Sequence, residues 1–163
     1  MSEFAALFFL IATFPVLFIC AYTDLRFMTI SNRANMILFG IFLVFGVFLL
    51  PFPEYGMRLL QGVVMLIVGF LLTSFGAIGG GDSKLLAAVA PYVLLDDASG
   101  LAMVLCVIVL AAVLAHRILG LIPRFRAEVV DWVSWQKHRN FPFGVPIAAT
   151  LFLYLFSEAR IVN

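Results

Sequence analysis

The chain has 163 residues, 64% hydrophobic and 12% charged, with a mean hydropathy of +1.16, and a water-soluble fold of this size could not bury so much apolar material. The bilayer is the expected solvent, and the expected fold is an all-α, polytopic transmembrane bundle of about six helices in one domain, residues 1–163. A formal net charge of +1 removes any global case for nucleic-acid binding.

In chain order, the apolar runs predict spans at approximately 4–23, 34–53, 59–78, 82–95, 98–116 and 141–157, judged against the roughly 20 residues that cross a hydrocarbon core as a helix. Ser2 and Glu3 lead the first run with no Lys or Arg before it, which predicts a retained span rather than a secretory signal. The fourth run is short. Its apolar part, residues 85–95, rises about 16 Å as a helix, so the glycine-rich stretch ahead of it is expected to begin below the membrane surface. Between the fifth and sixth spans, residues 117–140 place Phe125, Val129, Trp132, Val133 and Gln136 at helical spacing, with Arg124, Glu128, Asp131 and Lys137 on other faces. That pattern predicts an amphipathic helix lying on the inner surface. Trp132 and Trp135 make an interfacial anchor against membrane lipid there; a role for Glu128 or Asp131 in attracting a basic stretch of substrate is the alternative.

Six alternating spans divide the basic residues unevenly. Arg26, Arg33, Lys84, Arg117, Arg124, Arg126, Lys137 and Arg139 fall on one side, and Arg58 and Arg160 on the other. By the positive-inside rule the first side is cytoplasmic and both termini face outward. Asp24, Asp82, Glu128 and Asp131 are then the inner acids. Two complete spans separate Asp24 from Asp82 and return the backbone to one face, so the two carboxylates can meet.

An ionisable side chain at membrane depth costs about 2.5–3.5 kcal/mol on insertion scales, which makes each acid a functional hypothesis. Asp82 follows Gly79, Gly80 and Gly81 and precedes Lys84 and an apolar run. Such a run suits a platform on which an extended peptide approaches the backbone closely; a loop ending in a helix cap is the other reading. Asp24 closes the first span beside Arg26, where an interfacial ion pair is the alternative. Two carboxylates a few ångströms apart share a proton, so one can take a proton from water while the other polarises a carbonyl. That is the division of labour in aspartic proteases. Neither metal nor cofactor is expected, because Cys20, Cys106, His116 and His138 lack partners at ligand spacing. Ser74, Ser83 and Ser134 lack a triad arrangement, and residues 79–84 lack the P-loop pattern.

Three segments resemble the prepilin peptidase family, the intramembrane aspartyl enzymes that cleave the leader from type IV pilin precursors. Gly79-Gly80-Gly81-Asp82, continuing through Ser83, Lys84, Leu85 and Leu86, resembles the GxGD motif. Asp24 followed by Ile30 and Asn32 resembles the first-aspartate motif, which usually ends Ile-Pro-Asn, and Phe141-Pro142-Phe143-Gly144-Val145-Pro146 resembles the segment opening the final helix. Presenilin-like proteases share GxGD, but the other two segments favour the pilin branch.

The resemblance implies that Asp24 and Asp82 are the catalytic acids of an enzyme facing the cytoplasm from the bacterial inner membrane. It adds Asn32, Pro142 and Gly144 to Gly79, Gly80, Gly81 and Lys84 as substrate-platform residues. The implied partners are prepilin or pseudopilin precursors with a short basic leader and an apolar segment beyond the cut. Ser31 replaces the usual proline and supplies a helix cap instead. The paired CxxC motifs of longer members are missing, so a peptidase without methyltransferase activity is implied, most like those serving tight-adherence (Flp-type) pili. A small proton- or cation-coupled transporter component using Asp24 and Asp82 is the rival reading from another class, and a structural subunit whose acids cap helices is a third.

Overall fold

The computed structural model describes residues 1–136 and 141–160, and every regular element among them is helical. Four helices have the length and apolarity to cross a membrane: α1 (Glu3–Phe27), α2 (Asn32–Leu49), α3 (Phe52–Ser74) and α5 (Ala98–Leu121). The other two apolar runs fold more briefly. The fourth becomes α4 (Gly80–Val89) with one 3-10 turn, Ala90–Tyr92, and the sixth becomes α8 (Gly144–Glu158) of 15 residues. Six membrane passes is thus an approximate count, resting on four full-length helices and two short ones.

Local chemistry sets most boundaries. Ser2 caps α1 by accepting the Ala5 N–H at 3.2 Å, and Arg26 lies in its last turn, where a cation complements the helix dipole. Ser31, standing where the family motif has proline, caps α2 by accepting the Arg33 N–H at 3.2 Å. Helix α3 starts at Phe52 rather than at residue 59, because Pro53 sits in the first turn, where its missing N–H matters little. Glu54 and Arg58 are therefore inside the helix instead of in a loop. They pair at 2.7 Å, and Arg58, only 2% exposed, also donates to Pro91 O (3.3 Å) and Tyr92 O (2.8 Å). The guanidinium thus takes up carbonyls at the far end of α4, where Pro91 closes the helix.

The amphipathic cytoplasmic surface helix expected over residues 117–140 does not form as one element. Helix α5 continues to Leu121, Pro123 opens the short α6 (Pro123–Glu128), and a turn leads to α7 (Val133–Gln136). Proline at the α6 start cannot continue the preceding helix. The segment folds back on the bundle: Trp135 Nε1 donates to His116 O at 3.2 Å, its ring stacks on His116, and Trp132 meets Tyr22 edge-on. Lys137, His138 and Arg139 lie outside the described residues.

The core gathers on α1, α2, α4 and α8. Phe9, Phe42 and Tyr92 interlock through edge and stacked contacts, and Tyr92 Oη donates to Leu38 O at 2.6 Å. Small residues let α4 lie close to α3, as is common between helices in lipid. A Cβ at Gly62 would stand 2.8 Å from Pro91 Cγ, and one at Gly69 would stand 3.0 Å from Ser83 Cβ. Helices α1 and α8 pack together. Glu3 and Arg160 approach to 3.2 Å at the end where α1 begins, opposite the end carrying Asp24 and Asp82.

Candidate active site

Helix α1 brings Asp24 to its last turn, and Met28 then turns the chain through a left-handed conformation (φ 54°), its N–H donating to Asp24 O at 2.8 Å. The reversal sends Ile30 back over the end of α1. Asp24 is 4% exposed, and its Oδ2 accepts the Gly144 N–H at 2.7 Å. Gly144 is the first residue of α8, so an unpaired helix-start amide is aimed at the carboxylate. A side chain there has no room: a Cβ on Gly144 would lie 2.9 Å from Asp24 Oδ2 and 2.9 Å from Ile30 Cδ1.

Asp82 occupies the first turn of α4, three residues after Gly79, the residue that caps the helix. It is half-buried, and a Cβ on Gly79 would stand 2.8 Å from its Oδ2. Ile30 lies beside both aspartate-bearing segments, since Gly81 would place a Cβ 3.5 Å from its Cβ. At the next residue, Ser83 Oγ bonds Thr73 Oγ1 at 2.6 Å, tying the start of α4 to the end of α3.

Both carboxylates line a single cleft of about 690 Å³. Its wall includes Gly79, Gly80 and Gly81 together with Ile30, Phe141 and Phe143. The cleft is more polar than the hollow between α3, α4, α5 and α8 or that between α1 and α8, both walled mostly by apolar side chains.

The other expected site residues take different stations. Lys84 Nζ donates to Asn32 Oδ1 at 2.9 Å, joining the start of α4 to that of α2; both are exposed and neither lines the cleft. Pro142 is fully buried behind the two phenylalanines. Gly144 reaches Asp24 directly. Met28, Ile30, Phe141 and Phe143 also line the cleft without being expected site residues; Ile30 and the two phenylalanines lie in the family-like segments, and Met28 carries no signal in the sequence. Among the described residues no three His, Cys, Asp or Glu side chains gather as a metal-binding group.

Residues 11–121, more than half of the chain, match the type IV leader peptidase family. The chain belongs to that family. Neither a curated protein nor a solved structure matches it. As a type IV leader peptidase in general terms, the chain is a hydrolase that processes prepilin-type substrates, and its apolar helices make it a membrane protein. The matched stretch contains Asp24 and Asp82. It ends before Phe141, which lines the cleft, and before Gly144, whose amide reaches Asp24.

Proposed function

We propose that this leader peptidase is an aspartyl endopeptidase in which Asp24 and Asp82 are the catalytic pair. On this reading it cuts a short basic leader from type IV prepilin-like precursors at the cytoplasmic face of the inner membrane. The observation that carries the reading is the shared cleft: carboxylates from the end of α1 and the start of α4 face one polar hollow at one end of the bundle.

The chemistry follows from that arrangement. A water between the carboxyl groups loses a proton to the ionised aspartate as its oxygen attacks the scissile carbonyl carbon. The protonated aspartate meanwhile donates to the carbonyl oxygen, and a tetrahedral diol forms. Collapse of the diol breaks the C–N bond, with the proton passing to the departing amine. The glycine run beside Asp82 leaves space for an extended backbone, and Phe141 and Phe143 line the same cleft.

The charges support the cytoplasmic assignment. Arg26, Arg33, Lys84, Arg117, Arg124 and Arg126 belong to the helix ends around the cleft, whereas Arg58 and Arg160 belong to the opposite end. The transport reading gains little from this placement, because coupling sites generally sit near the bilayer midplane. The compact form lacking CxxC favours the tight-adherence type of substrate, without methylation of the product.

The test is cleavage of a prepilin-like precursor by protein reconstituted in liposomes. Asp24→Asn and Asp82→Asn should each abolish cleavage while the protein stays folded, and activity should survive a chelator. Full cleavage by either variant, or activity that returns only with added metal, would sink the proposal.

A further inference from the structure

We infer that the open groove along α4, between α3 and α5, seats an apolar side chain from the membrane-embedded segment of the precursor; the inference rests on the leader-peptidase reading of Asp24 and Asp82. Helical spacing within α4 puts Asp82, Leu86 and Val89 on one strip, at i, i+4 and i+7, and Val93 follows the 3-10 turn beyond it. Asp82 is on the wall of the cleft, while Leu86, Val89 and Val93 line the groove. The strip that begins at the carboxylate therefore continues into the apolar layer as the groove's floor.

The walls explain why the space exists. Helix α5 buries none of its residues in the bundle, and its Ala98 and Ala102 face the groove along with Ala90 at the end of α4. Methyl groups at those three positions leave a hollow of about 130 Å³. An apolar cavity of about 150 Å³ accepts benzene, so the hollow suits one ring or one branched aliphatic side chain. The lining is apolar except for Gln61 and Thr150, and the Thr150 hydroxyl already donates to Pro146 O at 2.7 Å. The Gln61 amide is the polar group left to an incoming backbone or side chain.

Continuity with the cleft selects the occupant. A peptide bond held between Asp24 and Asp82 belongs to a chain that must pass from the cleft into hydrocarbon, and α4 is the element that leads there. At about 1.5 Å per residue, Leu86 and Val89 lie about 6 and 10 Å along the α4 axis from Asp82. The seated side chain accordingly belongs one to two helical turns beyond the cut. A lipid chain would fill the volume but has no covalent link to the bond being cleaved.

The experiment uses the full chain in vesicles of phosphatidylethanolamine and phosphatidylglycerol, with a precursor carrying a basic leader and an apolar helix. Ala102→Phe fills the groove; Met103→Phe adds the same ring one residue on, at a position 71% exposed on the outer surface of the bundle. Ala102→Phe should raise KM about tenfold or more, the worth of a filled apolar pocket, with kcat within about twofold. Met103→Phe should change neither constant. A photoreactive side chain at position 102 of the Asp24→Asn enzyme should capture the precursor through its apolar helix. Wild-type KM in Ala102→Phe, an equal loss in both Phe variants, or capture of lipid or a second enzyme copy alone overturns the groove assignment. A wild-type enzyme that leaves the precursor intact overturns the leader-peptidase reading itself.

Discussion

A single methyl group at position 144 probes the site more finely than removal of a carboxylate. Gly144→Ala would drive its Cβ to 2.9 Å from Asp24 Oδ2 and 3.1 Å from Asp24 Cβ, so the carboxylate or the start of α8 has to move. Displacement of a reacting group by about 1 Å costs roughly a hundredfold in rate. Cleavage by Gly144→Ala should therefore fall by about ten- to a hundredfold with the unfolding midpoint in detergent little changed. A variant as active as wild type would show that Asp24 does not need this alignment. Ser31→Ala tests a different quantity. It removes the cap of α2 and should cost about 1 kcal/mol of stability, read from the same unfolding curve, with the cleft chemistry intact. Asp24 and Asp82 stood out in the sequence because two complete spans return the backbone to one face, and the fold places both on one cleft. The amide of Gly144 did not, since nothing local announces a bond across that distance, and only the resemblance of residues 141–146 pointed there.

Among the elements, α4 depends most on its neighbours, because ten residues are too few to cross the bilayer alone. Arg58 holds one end through the carbonyls of Pro91 and Tyr92, and the Thr73–Ser83 bond holds the other. Arg58→Ala should destabilise the fold by about 3–5 kcal/mol, since it leaves Glu54 and two carbonyls without their shared donor. Equilibrium unfolding measures the loss, and a change below about 1 kcal/mol would assign the pair a minor role. Gly69→Leu acts at the opposite end. Its side chain would collide with Ser83, pushing the first turn of α4 and Asp82 with it away from α3, so cleavage should drop more than stability does. Neither arrangement is announced locally: Arg58 falls just ahead of the apolar run 59–78, and the periodicity of such a run ignores a cation that finds its acid one turn away. The surface helix failed as an expectation for a related reason. Its amphipathic spacing was real, but Pro123 starts a new helix after α5, and Trp135 stacks on His116.

At the scale of the whole molecule, helix content and the common location of the two acids follow from apolar run lengths and charge positions. The depth of each run does not, since lengths near 15 residues are compatible with a membrane pass, a partial one, or a packed internal helix. The ion pair between Glu3 and Arg160 puts both ends of the described chain on the side opposite the cleft. Cysteines placed at Ser2 and at Arg124, in a background without Cys20 and Cys106, should thus react with an impermeant thiol reagent from opposite faces of the membrane. Labelling of Arg124→Cys from the cytoplasm alone is the expected result, and labelling of both positions from one face would require a different topology.

The link between Gly144 and Asp24 joins residues 120 positions apart. During biosynthesis the amide that aligns the first acid thus leaves the ribosome long after that acid, on the order of ten seconds later at ordinary elongation rates. A nascent chain halted before α8 carries both carboxylates yet lacks the group that orients one of them. On the proposed reading of Asp24 and Asp82, the site is complete only once the last helix has docked.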